Sequence, residues 1–435
     1  MRGSANQNGL TPERFWTMTS EQECFVYIVL PGETEPVTAG RLAIEKTNSG
    51  ESIGHFVYGE TYLARQNAVP IDPVELTLSE KVFNTGHMDG IFGAFRDASP
   101  DLWGRVLIER HLGRTDISEI EYLLHSPDDR IGALGFGQNT TPTLSLMEFC
   151  KSLDLERLQH AADAVVNTDT LTGSLAQRTE ELLLLGTSMG GARPKAVISD
   201  EDALWIAKFA HPADRYNMAL VEHSMLRLAH ECGISVAESR IVKVGARNIL
   251  LVKRFDREKK GDSYLRYRMI SALTALRGDD NPMRRDKWSY ILIAEELRRF
   301  SAEPIKDVRE LFRRMAFNAL VTNTDDHPRN HAFIARDGWR LVPAYDLLPF
   351  PMFSTERRDL AMVCGKNGRY ANLDNLVSEC RRFMFEPNEA IELISGMADY
   401  ISKNWYETVR RTGLSEQECE AIRPAFVYPG FFTSI

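Results

Sequence analysis

The residues best suited to chemistry lie in the segment 323–331, NTDDHPRNH, where Asp325 and Asn330 stand five positions apart. Phosphoryl transfer needs a carboxylate that accepts the proton of the attacking hydroxyl, and an amide or carboxylate oxygen that holds a metal beside the phosphates. Sixteen residues after Asn330, Asp346 follows a short strand pattern. The spacing therefore predicts a phosphotransferase that uses ATP and Mg²⁺, with Asp325 as the catalytic base and Asn330 and Asp346 as metal ligands.

A loop with several glycines lies upstream, between a helical pattern and a strand pattern. Residues 186–195 read GTSMGGARPK and lack the G-K-[ST] ending of a Walker A motif. Glycines let main-chain N–H groups approach phosphate oxygens closely, because no side chain blocks them. The loop is thus a candidate phosphate cradle, and an ordinary turn is the alternative interpretation.

Lys208 lies in the strand pattern 204–210, whose alternation puts it on the same face as Leu204 and Ile206. A lysine on an apolar face needs an anionic partner. ATP phosphates are one candidate, and Glu222 on the next helix is the other, as in the lysine–glutamate ion pair of kinases. The alternative interpretations are that Lys208 lies at an exposed strand end and that Glu222 is a solvent-exposed carboxylate on its helix.

His327 and His331 suggest a competing chemistry, because two histidines at positions i and i+4 of a helix can bind zinc. Pro328 and the absence of a glutamate between the two histidines argue against a metal hydrolase. We expect His331 to pack or to form hydrogen bonds instead.

The elements around these residues indicate an α+β fold. Strand patterns cover 22–30, 37–46, 53–59, 74–78, 194–199, 203–209, 236–244 and 247–253. Helical patterns cover 102–113, 154–166, 174–185, 217–232, 269–277, 285–300, 304–322 and 388–412. We predict a leader at 1–20, a β-rich subdomain at 21–140, an N-lobe-like region at 150–268 and a helical C-lobe at 269–435.

Composition narrows the class of protein. A chain of 435 residues with 43% hydrophobic and 26% charged residues can bury more than one core. The net charge of -9 argues against a surface built wholly to bind nucleic acid. The six cysteines include no C-x-x-C pair, and no apolar run is long enough to span a bilayer. A cytoplasmic protein that does not enter the membrane is expected.

Taken together, these motifs resemble the HipA family of bacterial Ser/Thr kinase toxins, from about residue 37 to the C-terminal region. The kinase-like motifs are SMGGARPK at 188–195, AK at 207–208, LVKRFDR at 251–257, DDHPRN at 325–330 and PAYD at 343–346. SPDLWGR at 99–105 and DRIGALGFG at 129–137 resemble the N-terminal subdomain of that family. The resemblance implies a bilobal protein-kinase-like fold with a β-rich N-terminal subdomain and a mostly helical C-terminal lobe.

The resemblance also implies an activity and partners. The expected activity is that of a serine/threonine protein kinase that arrests growth by phosphorylating a host protein, in characterised members an aminoacyl-tRNA synthetase. The expected partner is a small helix-turn-helix antitoxin, through which alone the chain would contact DNA. The residues that the resemblance assigns to the nucleotide are Gly190, Gly191, Ala192, Arg193, Pro194, Lys195, Lys208, the hinge Lys253, Arg254 and Phe255, and His327, Arg329 and Tyr345.

Ser188 matches the loop serine whose self-phosphorylation switches such kinases off, with Thr187 as the neighbouring alternative. A phosphoserine adds about −1.5 to −2 charges, which would repel an anionic nucleotide from the loop. Two positions depart from the family pattern: Lys253 stands where a glutamate is usual, and Arg193 stands where a glutamine is usual. Arg193 is long enough to reach a phosphate directly.

Two other functions fit parts of the pattern. A small-molecule kinase would use the same catalytic loop, since that loop does not select the acceptor. A co-repressor that binds DNA together with its antitoxin would make catalysis secondary. Transfer of label from ATP to one macromolecule of a lysate would distinguish a protein kinase from a small-molecule kinase. A shift of operator DNA by this chain alone would favour the co-repressor, and a shift that requires added antitoxin would argue against it.

Overall fold

The computed structural model describes residues 22–142, 150–151, 155–167, 193–200 and 203–433. Its first region holds an antiparallel sheet of five strands in the order β4-β3-β2-β1-β5. The strands are β1 (Glu23–Val29), β2 (Pro36–Lys46), β3 (Ser52–Tyr58), β4 (Phe83–Thr85) and β5 (Leu134–Gly137). Strand β1 reads ECFVYIV, and its near-continuous burial shows that both faces of the sheet are covered.

Four helices accompany this sheet: α1 (Glu60–Leu63), α2 (Gly93–Asp97), α3 (Leu102–Leu112) and α4 (Glu119–His125). Asp101 caps α3 by accepting a hydrogen bond from the amide of Gly104, and Ser118 opens α4 with a complete capping box. The helix predicted at 102–113 is confirmed, and Gly113 ends it in the left-handed conformation.

The strand predicted at 74–78 is wrong. Asp72 is fully buried there, and its carboxylate accepts hydrogen bonds from the amides of Val74, Glu75 and Leu76 at 2.8, 2.6 and 3.1 Å. Because these amides are bound to a side chain, they cannot join a strand ladder. The fourth strand of the sheet forms at Phe83–Thr85 instead.

A second sheet has the order β6-β7-β8-β10-β9. Its strands are β6 (Cys150–Lys151), β7 (Lys195–Asp200), β8 (Ala203–Lys208), β9 (Ser239–Val244) and β10 (Arg247–Lys253). Helices α5 (Leu155–Val166) and α6 (Met218–Glu231) belong to the same region. Strands β7 and β8 pair in antiparallel register, with Lys195 directly opposite Lys208. The predicted helix at 174–185 lies outside the described residues.

Two small sheets follow. Strand β11 (Arg257–Lys260) pairs with β12 (Ser263–Arg266), and β13 (Arg268–Ser271) pairs with β14 (Ala332–Ala335), which pairs with β15 (Trp339–Leu341). The helix predicted at 269–277 is therefore wrong in its first part, where Met269 and Ile270 lie opposite Ile334 and Phe333. Pairing with a distant strand overrides the local apolar periodicity.

The rest of the chain is mostly helical. The helices are α7 (Ala272–Ala275), α8 (Tyr290–Phe300), α9 (Pro304–Leu320), α10 (Leu373–Ser378), α11 (Pro387–Thr412) and α12 (Glu416–Ile422). Short 3₁₀ turns lie at His87–Gly90, Pro282–Arg284, Pro328–Asn330, Cys380–Phe383, Arg423–Ala425 and Pro429–Phe432. No helix among the described residues is long and apolar enough to cross a membrane.

One apolar core joins the first sheet to the C-terminal helices. It runs without a break from residues such as Val26 and Phe56 to Phe312 and Ile401, all fully buried. At the junction, a Cβ on Gly93 would come within 2.7 Å of the Thr274 hydroxyl, so only glycine permits this approach of α2 to α7. The β-rich first region is thus packed as part of the whole molecule.

Candidate active site

A buried polar network fixes the loop that carries the predicted catalytic residues. The Asp326 side chain, 2% exposed, accepts a hydrogen bond from the Tyr290 hydroxyl and lies 2.7 Å from His331 Nε2. Asn318 donates to the Tyr290 hydroxyl at 3.3 Å, and Asn323 donates to Asn318 Oδ1 at 3.1 Å. Because Tyr290 lies on α8, Asn318 lies on α9 and His331 directly precedes β14, the network ties the loop to three elements of the fold.

Asp325 and Asn330 belong to the loop that this network holds. Asn330 Nδ2 donates to the main-chain oxygen of Asp325 at 3.3 Å, and the Asn330 amide donates to His327 O at 2.9 Å. The amide group of Asn330 is therefore oriented, with its Oδ1 turned away from Asp325. Asp325 is exposed, whereas Asp326 beside it is buried. The two adjacent carboxylates thus differ: Asp326 holds the loop in place, and Asp325 is accessible from solvent.

The pKa of Asp325 is raised above its ordinary value. Partial removal from water is the main cause, and the carboxylates of Asp346 and Asp326 act in the same direction, while His327 opposes the shift. Asp325 therefore lies within electrostatic reach of Asp346, and a raised pKa makes its carboxylate a better proton acceptor.

Lys208 joins two predicted site residues. Its Nζ lies 2.7 Å from Glu222 Oε1 and 2.7 Å from Asp346 Oδ1, so strand β8, helix α6 and the segment after β15 meet at one ammonium group. Burial would lower the pKa of Lys208, but Asp346 and Glu222 outweigh it and raise the pKa. Lys208 in turn lowers the pKa of Asp346. Lys208 is thus held as a cation and Asp346 as a carboxylate.

The backbone at Asp346 is itself unusual, with a φ of 57°. This left-handed conformation is uncommon outside glycine, and aspartate is among the residues that tolerate it best. It turns the carboxylate towards Lys208, leaving Oδ2 without a hydrogen-bond partner among the described residues. Asp346 remains 36% exposed, enough for a bound ion to reach it.

The lysine at the end of the glycine loop is also buried. Lys195 lies across from Lys208 in the β7–β8 pair, and its Nζ pairs with Asp101, which caps α3. Arg193, two positions earlier, pairs with Asp214 instead. The predicted Thr187, Ser188, Gly190, Gly191 and Ala192 lie outside the described residues. Pro194 accepts a hydrogen bond from the amide of Phe209 at 2.9 Å, so the β7–β8 ladder extends to it.

The predicted hinge follows β10. The amides of Lys253 and Arg254 donate to Glu238 O and Leu204 O at 2.8 and 2.9 Å, and the Phe255 ring lies 6.0 Å from that of Tyr345. The Arg254 side chain points away from this region, since it is fully buried against Asp129 at 2.6 Å and against Asp256. Only the main chain of Arg254 thus lies at the predicted hinge.

Three aspartates that the sequence did not mark as site residues each form an ion pair with one predicted site residue. Asp97 pairs with Arg329 at 3.2 Å, Asp129 with Arg254 at 2.6 Å, and Asp101 with Lys195. All three acidic residues come from the first region. Asp101 and Asp129 belong to runs that the sequence singled out, SPDLWGR and DRIGALGFG, but nothing in the runs indicates these distant partners.

The remaining predicted residues lie around the same loop. The Tyr345 hydroxyl donates to Arg329 O at 2.8 Å, and Arg329 also approaches Asp280 at 3.3 Å. His327 Nδ1 is buried without a hydrogen-bond partner in the part of the chain that the structure describes. Across the described ranges, no group of three or more His, Cys, Asp or Glu residues could hold a metal ion.

Comparisons with known proteins identify the family. Residues 35–137 match the HipA N-terminal domain, and residues 187–405 match the HipA-like C-terminal domain. A Sinorhizobium fredii protein named "Putative kinase Y4mE" is 25% identical over 374 residues, which cover 77% of this chain and 81% of that protein. A Haemophilus influenzae protein named "Putative kinase" is 27% identical over 218 residues, which cover 42% of this chain and 63% of that protein.

The fold comparison extends over nearly the whole chain. A chain from the Shewanella oneidensis MR-1 toxin–antitoxin complex of HipA, HipB and operator DNA superposes with a TM-score of 0.65 at 18% identity, covering 92% of this chain and 94% of that one. The predicted α+β fold, bilobal and kinase-like with a β-rich N-terminal subdomain, is confirmed. Since the C-terminal match alone spans about half of the sequence, the chain belongs to the HipA family.

Proposed function

We propose that the chain is an ATP- and Mg²⁺-dependent serine/threonine protein kinase of the HipA type. The observation that carries the proposal is Lys208, held at 2.7 Å from both Glu222 and Asp346, beside a catalytic loop anchored from below. A cation with two carboxylates at the end of a central strand matches the lysine–glutamate pair and metal-binding aspartate of a kinase site. The names of the relatives support the same activity.

In this proposal Asp325 accepts the proton of the attacking hydroxyl. Its exposure lets a substrate reach it, and its raised pKa strengthens it as a base. Its neighbour Asp326 cannot take this role, because its carboxylate is buried against Tyr290 and His331. The anchored loop then fixes Asp325 relative to the metal ligands.

Asn330 and Asp346 are the proposed ligands of Mg²⁺. Each offers an oxygen that no other described residue engages, Oδ1 of Asn330 and Oδ2 of Asp346, so the donor set fits a hard cation. Mg²⁺ is typically held by one or two protein carboxylates and takes its other oxygens from phosphates and water. When bound, the ion neutralises charge on the phosphates.

The nucleotide would lie between the two lobes. We assign its phosphates to the loop Gly190–Lys195, including Arg193, and to Lys208, and its adenine to the main chain of Lys253–Phe255. His327, whose Nδ1 lacks a partner among the described residues, Arg329 and Tyr345 would line the same space. We propose residues 21–140, 150–268 and 269–435 as the corresponding units.

Membership of the HipA family supports a proposal for the substrate and partners. We propose a protein acceptor, with a translation component such as an aminoacyl-tRNA synthetase as the candidate, and a growth-arresting effect in the cytoplasm. Self-phosphorylation at Ser188 would be the off switch. A small helix-turn-helix antitoxin is the proposed partner and would provide the contact with DNA, in line with the HipB and operator DNA of the Shewanella complex.

Mass spectrometry and labelled ATP test the proposal. Intact protein incubated with ATP and Mg²⁺ should gain one phosphate, and Ser188→Ala should prevent the gain. In a lysate, label should enter one macromolecular band, whereas label confined to small molecules would favour a small-molecule kinase. Asp325→Asn should abolish transfer and retain nucleotide binding, and Asp346→Ala should weaken binding as well. Full turnover by Asp325→Asn would refute the assignment.

A further inference from the structure

The run SPDLWGR at 99–105 contacts the strand that carries a proposed nucleotide lysine. Asp101 uses one carboxylate oxygen to cap α3, accepting from Gly104 N at 2.8 Å, and the other to pair with Lys195 Nζ on β7. Both side chains are withdrawn from water, with exposures of 9% for Asp101 and 3% for Lys195. A buried pair of this kind is held firmly, because neither charge can be solvated alone.

The same run also holds the main chain of this lysine. The indole Nε1 of Trp103 donates to Lys195 O at 3.2 Å, and Trp103 belongs to the same buried apolar cluster as Ile198, Trp205 and Ala207 of the second sheet. Helix α3 therefore fixes both the ammonium group and the backbone of Lys195. The contact lies at the point where the glycine loop ends and β7 begins.

Lys195 also shares a face of the sheet with Lys208. The two residues are directly opposite in an antiparallel pair, and such neighbours have side chains on the same face with their Cβ atoms about 4.5–5.5 Å apart. Two lysines on neighbouring strands of one face repel each other unless carboxylates balance their charges. Glu222 and Asp346 balance Lys208, and Asp101 supplies a carboxylate for Lys195.

We propose that Asp101 is a positioning residue for the nucleotide: it holds the Lys195 ammonium beside Lys208, in the place where a phosphate would bind both. This inference rests on the proposed kinase function and adds a residue of the N-terminal domain to the nucleotide site. Burial lowers the pKa of Lys195, and Asp101 opposes that shift, which agrees with a role in keeping Lys195 charged.

The structure offers variants that separate this role from a purely structural one. Asp101→Asn keeps an N-cap side chain of equal quality and removes only the charge. Asp101→Ser is a second variant that retains a capping oxygen, for use if the first does not fold. Glu119→Gln is the control, since it removes the charge from the nearby Arg105–Glu119 pair, which is 2.7 Å long, has both side chains under 20% exposed and does not include Lys195.

The experiment measures binding of a non-hydrolysable ATP analogue with Mg²⁺ by calorimetry, together with the KM for ATP and kcat. Loss of one charge-assisted contact predicts binding weakened by about tenfold in Asp101→Asn, with a matching rise in KM and kcat changed less than about twofold. Glu119→Gln should bind like the wild type. In a Lys195→Met background, Asp101→Asn should cause no further loss, because Asp101 acts through Lys195.

The outcomes distinguish the positioning role of Asp101 from the proposed kinase function. Wild-type affinity in both Asp101 variants, or an undiminished loss in the Lys195→Met background, overturns the positioning role and leaves the proposed kinase function intact. Failure of the wild-type chain to bind the analogue overturns both proposals. A loss of affinity shared by Glu119→Gln would attribute the effect to general weakening of the region and would also overturn the role of Asp101.

Discussion

Asp256→Asn removes one charge from an ion network that is almost completely buried. The Asp256 carboxylate lies 2.9 Å from Arg254 Nη2 and 2.8 Å from Arg257 Nη1, and it accepts from the Gly132 amide at 2.9 Å. Arg254 and Asp129 are fully buried, and the Arg257 and Asp256 side chains are 2% and 3% exposed. The substitution keeps the shape of the side chain and leaves two guanidinium groups facing a single carboxylate.

The expected cost is large because the remaining charges cannot reach water. Breaking a buried ion pair by removing one partner typically costs about 3–5 kcal/mol of unfolding free energy. At about 2–4 °C per kcal/mol for a cooperative unit of 150–250 residues, the midpoint of thermal unfolding should fall by roughly 6–20 °C. An exposed ion pair contributes only about 0–1 kcal/mol, so the two cases are readily separated.

The same network predicts the dependence on pH. Burial alone would raise the pKa of Asp256, but Arg254 and Arg257 outweigh it and hold the pKa well below its usual value. Its contribution to stability is therefore fully present above the unfolded-state pKa of about 3.9 and is lost as the pH falls through the folded-state pKa. The difference between wild type and variant should be constant from pH 7 to pH 5 and shrink in stronger acid.

Scanning fluorimetry between pH 7 and pH 3 measures both the fall in the unfolding midpoint and its dependence on pH. Glu407→Gln is the control, because its partner Arg411 and Glu407 itself are 67% and 60% exposed on α11. If Asp256→Asn unfolds within about one degree of the control at pH 7, the buried network does not stabilise the junction of the two regions. A constant difference down to pH 3 would refute the assignment of the acid dependence to Asp256.

Three further predictions concern the proposed site. His327→Gln should move the acidic limb of the pH–rate profile to higher pH, because His327 opposes the raised pKa of Asp325; an unmoved limb in kcat/KM would contradict this. Tyr290→Phe removes a buried hydrogen bond beneath the catalytic loop and should cost about 1–3 kcal/mol by urea unfolding, with wild-type stability as the contrary result. Glu222→Gln leaves Lys208 with one carboxylate and should raise the KM for ATP by about tenfold, whereas an unchanged KM would separate this pair from nucleotide binding.

The sequence was sufficient for the part of the site built from short spacings. Asp325 and Asn330 belong to one loop, so five positions of chain already bring them together. Lys208 and Glu222 were predictable for a similar reason, since strand alternation and the following helix leave the lysine an anionic partner on the adjacent element. In these cases local periodicity determines where the side chain points.

Other parts depended on contacts that no local pattern contains. The strand at Arg268–Ser271 forms because it pairs with residues more than 60 positions later, although its own apolar spacing indicates a helix. The segment after Asp72 has the composition of a strand, but one buried carboxylate binds three of its amides. Sequence patterns fail here because the deciding partner is either far along the chain or a side chain.

The distant contacts also change how the N-terminal region should be understood. The sequence predicts a separate β-rich unit. In the structure, however, Asp97 pairs with Arg329, Asp101 with Lys195 and Asp129 with Arg254, so each aspartate balances a cation of a later region. A buried cation without its counter-ion is strongly unfavourable. A protein lacking the first region would therefore have to expose or deprotonate the buried lysine and rearrange the hinge arginine. The proposed nucleotide site therefore depends on both regions of the chain. If the proposal is right, a partner that displaced the N-terminal region would alter nucleotide binding without contacting the proposed catalytic loop.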